Sequence, residues 1–207
     1  MKCRIKNKSK TIFIIIIDNE IRGILSEKIL RFFSLEVGKE TEITKEEFHK
    51  LNKEIENFAR EKLLNYLSYR ERSLGECRNY LKNLPLHPDS VKKLLKEAIE
   101  NNYINDARFA EMLVLSLLEK GKSKNEIKNK LFEKRIDEQI IDKTLAKLYS
   151  AQKNDEILEK NVKKAWTKFS RFPKNQRIEK CLNYLARRGF SYSETKEKIN
   201  KIKTSED

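Results

Sequence analysis

The sequence predicts a mainly α-helical protein, an elongated tandem array of three three-helix repeats preceded by a small N-terminal β-hairpin and helix. The 207 residues include only five Gly and three Pro, and 38% of them are charged, which is typical of helices with solvated faces. From about Phe58 onward, apolar residues recur every three or four positions, which is the period of a helix. The same part of the chain also resembles itself at intervals of about fifty residues, which indicates a repeat architecture.

The first 57 residues differ from the rest and are predicted to form an α+β extension. The run IFIIII, Ile12 to Ile17, is rich in β-branched residues, and a polar turn separates it from IRGIL, which indicates two paired strands. The segment EKILRFFSLEVG then has helical spacing, and Gly38 is placed to end that helix. Thr44 with Glu47 predicts the start of another helix by a capping box.

An internal repeat defines the remainder of the chain. Residues 63–95 align with residues 113–145 at an offset of 50 and share eight identities, and a further offset of 54 reveals a third, more divergent copy. We therefore divide this part into three repeats: residues 58–105, 106–152 and 153–207. Each repeat has room for three helices, which in the first repeat we expect near residues 58–71, 74–84 and 90–101.

Each repeat contains a Ser followed three residues later by Glu, just ahead of an apolar ladder. The pairs are Ser73 with Glu76, Ser123 with Glu126, and Ser191 with Glu194. In this arrangement the hydroxyl accepts from a backbone N–H of the first helical turn, while the carboxylate caps back, for about 1 kcal/mol per cap. We interpret the pairs as helix starts rather than as catalytic residues.

A helix end is predicted at the string RRGF. Gly189 suits the left-handed conformation, Phe190 folds back onto the last turn, and Arg187 and Arg188 face the negative end of the helix dipole.

Cys3, Cys77 and Cys181 lack metal-ligand spacing, and only two His accompany them, so neither a zinc site nor a disulfide framework is expected. Because the repeat aligns Cys77 with Ile127, we expect these thiols to act as small core residues. The odd number of thiols fits a reducing cytoplasm. The longest apolar run is too short to cross a membrane or to serve as a signal peptide, which predicts a soluble protein without a membrane partner.

The charge leaves two interpretations open. The net charge is +14, and half of the excess lies in residues 153–207, which hold 15 basic and 8 acidic residues. A polyanionic partner such as nucleic acid is one interpretation, and a solvated surface rich in Lys and Glu is the other. Aromatic residues of the repeats are interpreted as packing, with base stacking as the alternative; they are Tyr66, Tyr69, Phe132, Trp166 and Phe169.

Catalytic motifs are not found. The string GKSK, Gly121 to Lys124, lacks the upstream Gly and the preceding strand of a phosphate loop. Acidic residues are plentiful, but none forms a pair in an apolar setting that would separate their pKa values for acid–base chemistry. We therefore expect no enzyme activity, no cofactor and no metal.

Three strings in the repeats together resemble the RecX family, whose members regulate the RecA recombinase. They are YLSYRERSLGEC from Tyr66, YINDARFAEM from Tyr103, and YLARRGFSYS from Tyr184. The chain departs from the family pattern at Asn102 and at Lys134-Arg135-Ile136, where the family has Gly.

The resemblance implies a monomeric cytoplasmic protein that lies in the groove of the RecA–DNA filament and restrains recombination, with effects on DNA repair and the SOS response. It would contact RecA, single- or double-stranded DNA without sequence preference, or both. Candidate partner-binding residues are Arg70, Arg72, Lys120, Lys122, Arg187 and Arg188. Two alternatives stay open: a general DNA-binding helical protein that acts without RecA, and an adaptor for an unrelated acidic protein.

Overall fold

A computed structural model of the protein describes residues 1–206, with side chains up to Ile202. It confirms the mainly α-helical fold with a small N-terminal sheet. In chain order the elements are β1 (Lys2–Asn7), β2 (Ile12–Ile17), β3 (Glu20–Ser26), α1 (Glu27–Phe32), β4 (Glu40–Glu42), α2 (Lys45–Ser68), α3 (Leu74–Lys82), α4 (Pro88–Glu100), α5 (Asp106–Glu119), α6 (Lys124–Glu133), α7 (Glu138–Leu148), α8 (Ala151–Lys168), α9 (Lys174–Arg187) and α10 (Tyr192–Glu206). The chain divides into two compact units, which we call unit 1 (residues 1–105) and unit 2 (from Asp106 on).

The N-terminal sheet is antiparallel and has the order β3-β2-β1-β4. The predicted hairpin of β2 and β3 is confirmed, and its turn residues Asp18 and Asn19 have the positive φ values, 48° and 70°, that tight hairpins favour. The other two strands were not predicted. In β1 buried Cys3 and Ile5 alternate with exposed cations, and β4 is only three residues long, so neither carries a strong strand signal.

Helix α1 is shorter than predicted, because it ends at Phe32 rather than near Gly38. Ser34 takes a left-handed conformation (φ 54°), and the N–H of Leu35 donates to the carbonyl of Leu30 at 3.1 Å. This turn places Leu35 in the core, where it is 8% exposed. The expectation that Gly38 ends the helix was therefore wrong.

Helix α2 connects the sheet to the first predicted repeat. Its start at Thr44 is the predicted capping box, with both reciprocal hydrogen bonds present. The first half of the helix packs Leu51 and Ile55 on the sheet, and the second half contributes Ala59 and Leu63 to the core around α3 and α4. The predicted boundary at residue 57 thus lies inside one continuous helix.

Helices α3 and α4 complete unit 1. Ser73 and Glu76 form the predicted capping box at the start of α3. Helix α4 begins two residues earlier than predicted, because His87 is its N-cap and Pro88 occupies the first turn, where a missing N–H does no harm. After α4 the chain turns at Asn102, whose φ of 57° is the left-handed conformation that Gly adopts most readily.

Unit 2 holds helices α5 to α10 around one hydrophobic core. Val114 and Ile127 of the second predicted repeat and Val162 and Ile199 of the third are fully buried in it. Arg135, between α6 and α7, has a φ of 59°, which is the left-handed conformation. The second and third repeats therefore bury their apolar faces against a common core.

Candidate partner-binding surfaces

Arg70 stands at the entrance to α3, and its guanidinium forms a two-pronged pair with Glu76. Its Nη1 and Nη2 donate to the two carboxylate oxygens of Glu76 at 3.2 and 2.9 Å, and Nη1 also donates to the carbonyl of Glu71 at 2.8 Å. The hydrogen bonds to the Glu76 carboxylate raise the pKa of Arg70. Because the side chain of Arg70 is still 48% exposed, its outer edge remains accessible to a partner.

Arg72 has a packing role instead. Its guanidinium lies over the ring of Tyr66, with the central carbon 4.2 Å from the ring centroid. Tyr66 in turn stacks on Tyr80, with the ring centroids 4.1 Å apart and the planes parallel within 1°. Tyr66 is therefore occupied in a packed column of three side chains, as the packing interpretation predicts. Of the other repeat aromatics, Trp166 is buried, whereas Tyr69 is 83% exposed.

Arg188 belongs to a hydrogen-bond network that joins the second and third repeats inside unit 2. Its Nη1 donates to Oδ1 of Asn161 at 2.5 Å, and Nδ2 of Asn161 donates to the carbonyl of Gly121 at 3.0 Å. In the opposite direction, the hydroxyl of Ser123 donates to the carbonyl of Arg188 at 2.6 Å. The guanidinium is half-buried and has a structural role whether or not a partner also contacts it.

The remaining candidates in unit 2 differ in how free they are. Lys122 forms a short ion pair with Glu126 one turn later and is half-buried. Arg187, in the last turn of α9, is exposed, and its side chain has no hydrogen bond or ion pair within residues 1–202. Lys120 is exposed at the end of α5. Lys120 and Arg187 are therefore the predicted cations of unit 2 whose charge is most available.

Lys120 lies on the rim of a groove in unit 2 that we call the lysine groove. Its volume is about 400 Å³, and its lining includes Leu118 and Ile157. Three lysines of α8 join Lys120 around it, together with two glutamates: Lys153, Lys160, Lys164, Glu119 and Glu156. These three lysines are not among the candidates predicted from the sequence. Their spacing of seven and four residues places them on one face of a helix, which was the available signal.

Other kinds of site find little support in the part of the chain that is described. No group of three or more His, Cys, Asp or Glu there is arranged to hold a metal ion. The three thiols are free and buried, and burial raises the pKa of Cys3 to about 11 and also raises the pKa of Cys181. Among the helices that the structure describes, none is long and apolar enough to cross a membrane.

Known proteins with similar sequences match this chain over its full length. Residues 105–145, which hold α5, α6 and most of α7, match the family model described as "RecX, second three-helix domain". The regulatory protein RecX of Streptococcus gordonii is 27% identical over 209 residues, a match that covers 100% of this chain and 79% of the relative. The chain belongs to the RecX family. A RecX of Lactococcus lactis is 30% identical over 85% of this chain and 66% of the relative.

Solved RecX structures have the same fold. A crystal structure of regulatory protein RecX matches with a TM-score of 0.69 over 96% of this chain and 99% of that one, at 24% identity. RecX from Lactobacillus salivarius matches with a TM-score of 0.65 at 27% identity, over 72% of this chain and 97% of that one. The arrangement of strands and helices is therefore that of the RecX family.

Proposed function

We propose that this protein is a non-catalytic cytoplasmic regulator that binds the RecA–DNA filament and restrains recombinase activity. Membership of the RecX family over the full length of the chain is the observation that carries the proposal. Inhibition of RecA would affect homologous recombination, DNA repair and the SOS response. No cofactor enters this activity, because binding alone can stabilise an inactive filament or promote its loss.

The charges of the repeats support this target. A filament of protein on DNA offers phosphates and carboxylates along a continuous surface, and many weak charged contacts on one chain add up through effective concentration. Among the predicted cations of unit 2, Lys120 and Arg187 are the most exposed to solvent. Arg70 is the more exposed of the two arginine candidates of unit 1. We propose these three for contacts with the filament, and Arg72, Lys122 and Arg188 for their support.

The direct test measures RecA-driven ATP hydrolysis and strand exchange with added purified protein. We expect both rates to fall at amounts well below those of RecA, because one bound regulator affects several neighbouring protomers. An unchanged rate at equimolar protein would reject the proposal. Lys120→Glu with Arg187→Glu should weaken the inhibition, and Lys143→Glu with Lys196→Glu is the matched control, because these two lysines are also exposed cations of unit 2.

The lysine groove supports a second candidate, general DNA binding without RecA. Lys120, Lys153, Lys160 and Lys164 outnumber Glu119 and Glu156 in its lining, and lysines of this kind contact phosphates. Affinity for naked DNA should then fall steeply with salt, with log K decreasing by about 0.9 for each duplex phosphate contact per unit of log salt. The protein can also be tested against strand exchange that a recombinase of unrelated sequence carries out. Full inhibition of that reaction would have to act through DNA alone and would favour this candidate over RecA binding.

A further inference from the structure

We propose that unit 1 carries a docking site for an acidic amphipathic helix of a partner protein, in a groove between α3 and α4. We call it the α3–α4 groove. It has a volume of about 680 Å³ and is lined mainly by apolar side chains of the two helices and the segment between them, including Leu74, Leu81, Val91, Leu95 and Ile99. None of the six candidate residues predicted from the sequence lines this groove.

The groove leaves part of its apolar lining exposed to solvent. Ile99, in the last turn of α4, is 46% exposed, although its neighbour Ala98 is 4% exposed and faces the core. Leu74, Leu84, Leu86 and Val91 are half-buried around the same groove. A contiguous apolar surface with a charged rim is typical of an interaction site rather than of scattered exposed side chains.

The shape of the groove favours a helix as its occupant. Pro88, Val91, Leu95 and Ile99 line it from α4 at spacings of three, four and four residues, so they form a row along one side of that helix. The row is about 16 Å long at 1.5 Å per residue, which equals three turns of a bound helix. An amphipathic helix fills such a groove with apolar residues at positions i, i+3 or i+4, and i+7.

The rim of the groove favours an acidic occupant. Its charged lining residues are four cations and one anion: Arg78, Lys82, Lys92, Lys96 and Glu100. Lys92 already pairs with Asp89 at 3.3 Å, and Lys96 approaches Glu100 at 3.7 Å. Arg78 and Lys82, one turn apart on α3, are exposed, and their side chains form no hydrogen bond or ion pair within residues 1–202. Carboxylates on the flanks of a bound helix would supply the missing partners.

The same features disfavour the two other occupants. A nucleic-acid backbone would gain from the cations, but its phosphates would gain nothing from the apolar floor. A second copy of the chain that docked by the same surface would bring one cationic rim against another, which electrostatic complementarity opposes. The acidic helix is the occupant that uses both the floor and the rim.

The test uses the full chain and two designed peptides with a fluorescent label. Both peptides have the same Leu residues at positions i, i+4 and i+7 of a short helix, and one has Glu flanks whereas the other has Lys flanks. Fluorescence anisotropy should detect binding of the Glu peptide only. Ile99→Asp should weaken that binding by about tenfold or more, because it places a charge on the apolar floor and repels the acidic flanks.

Arg78→Glu with Lys82→Glu should also weaken binding of the Glu peptide about tenfold and should permit binding of the Lys peptide. Lys28→Glu with Lys53→Glu is the matched control, because these lysines of unit 1 are exposed outside the groove and the net charge changes equally. Equal binding of both peptides, no binding up to about 1 mM, or binding that these variants leave unchanged would overturn the proposal. So would a concentration-dependent dimer that Ile99→Asp dissociates, since the occupant would then be a second copy.

The proposal stands apart from the action on RecA, because neither RecA nor DNA is present in this experiment. Failure of the peptides to bind would leave the proposed inhibition of the filament untouched. Conversely, peptide binding with no effect on RecA would retain the docking site and remove the proposed function.

Discussion

Gly189 shows why one residue type is required at the helix end that the sequence predicts. Its φ is +75°, and a Cβ at this position would lie 2.9 Å from Oγ of Ser123 and 3.0 Å from Cβ of Asn125. Both neighbours belong to the network that joins the second and third repeats. A side chain at this position would therefore meet two obstacles: the left-handed backbone conformation and the close contacts of its Cβ.

Gly189→Ala should lower the free energy of unfolding by about 2 kcal/mol or more, since the left-handed conformation alone costs about 1–2 kcal/mol. Urea denaturation followed by circular dichroism measures the change. Gly121→Ala is the control: its φ is +67°, but the nearest atom to a new Cβ is Nδ2 of Asn161, at 3.5 Å. Gly121→Ala should lose only the conformational part, and equal losses in the two variants would contradict the steric argument.

Burial of Cys3 predicts a dependence of stability on alkaline pH. Burial raises the pKa of this thiol from an ordinary value of 9.0 to about 11, so the folded state binds the proton more tightly than the unfolded state. The resulting stabilisation is fully present below pH 9.0 and is lost as the pH rises towards about 11. Between these values, the free energy of unfolding should fall by about 2 kcal/mol more in the natural protein than in Cys3→Ala. The comparison isolates Cys3, because the tyrosines titrate in both proteins. An equal fall of the free energy of unfolding with pH in the two proteins would contradict the prediction.

Side chains that act locally were the easiest to predict. Ser73 with Glu76 follows from the sequence because a capping box depends on residues three positions apart. The role of Arg188 depends on Asn161, which lies 27 residues away, and on Gly121 beyond it. No spacing rule brings these residues together, so the sequence identified the arginine but not its partners.

The end of α9 contains two adjacent arginines with different structural roles, which allows a matched comparison. Arg188→Gln should lower the free energy of unfolding by about 1–2 kcal/mol, because it removes a charged hydrogen bond to buried Asn161. Arg187→Gln should change it by less than about 0.5 kcal/mol, because this side chain is exposed. Thermal unfolding measures both variants. A larger loss in Arg187→Gln would reverse the assignment of structural roles.

Secondary-structure elements were predictable in proportion to the strength of their signals. Strand β2 is a run of β-branched residues, β3 follows it after a polar turn, and the starts of α2 and α3 have capping boxes. Strand β4 could not be predicted, since its three residues become a strand only by pairing with β1. The early end of α1 depends on the packing of Leu35 into the core, which helical periodicity does not report.

The net charge of +14 and the many surface ion pairs affect the stability of the fold with opposite dependences on salt. Mutual repulsion of the excess cations destabilises the folded state at low salt, whereas exposed ion pairs are each worth only about 0–1 kcal/mol and are screened by salt. We expect repulsion to be the larger effect. The unfolding temperature should therefore rise between about 0.01 M and 0.15 M NaCl, over which the Debye length shrinks from about 30 Å to about 8 Å.

A falling unfolding temperature over the same range would show that attractive ion pairs outweigh repulsion. Substitution of choline chloride for NaCl separates screening from specific sodium effects, because screening depends on ionic strength alone. The same measurement defines the salt range in which filament-binding assays report on contacts rather than on stability.

The repeats were visible in the sequence because most of their shared positions are core or capping residues. The two compact units were not visible, because a common core between the second and third repeats depends on which apolar faces meet. The lysine groove was also missed, since its lysines come from two separate helices. Lys120 lies at the end of α5, and the other three lysines lie on α8, at least 33 residues later in the chain. The division of the chain into three repeats stays a prediction.

Helix α2 has a practical consequence for dissecting the gene. A deletion that starts translation at residue 58 would cut the helix at mid-length, discard its Thr44 cap and strip Phe58 of its neighbours in the sheet. The shortened polypeptide would fray at a new, uncapped helix terminus. Any loss of activity would then result from damage to the fold rather than from a missing function of the deleted segment. Internal point substitutions on the sheet are the cleaner way to ask what the first 57 residues contribute.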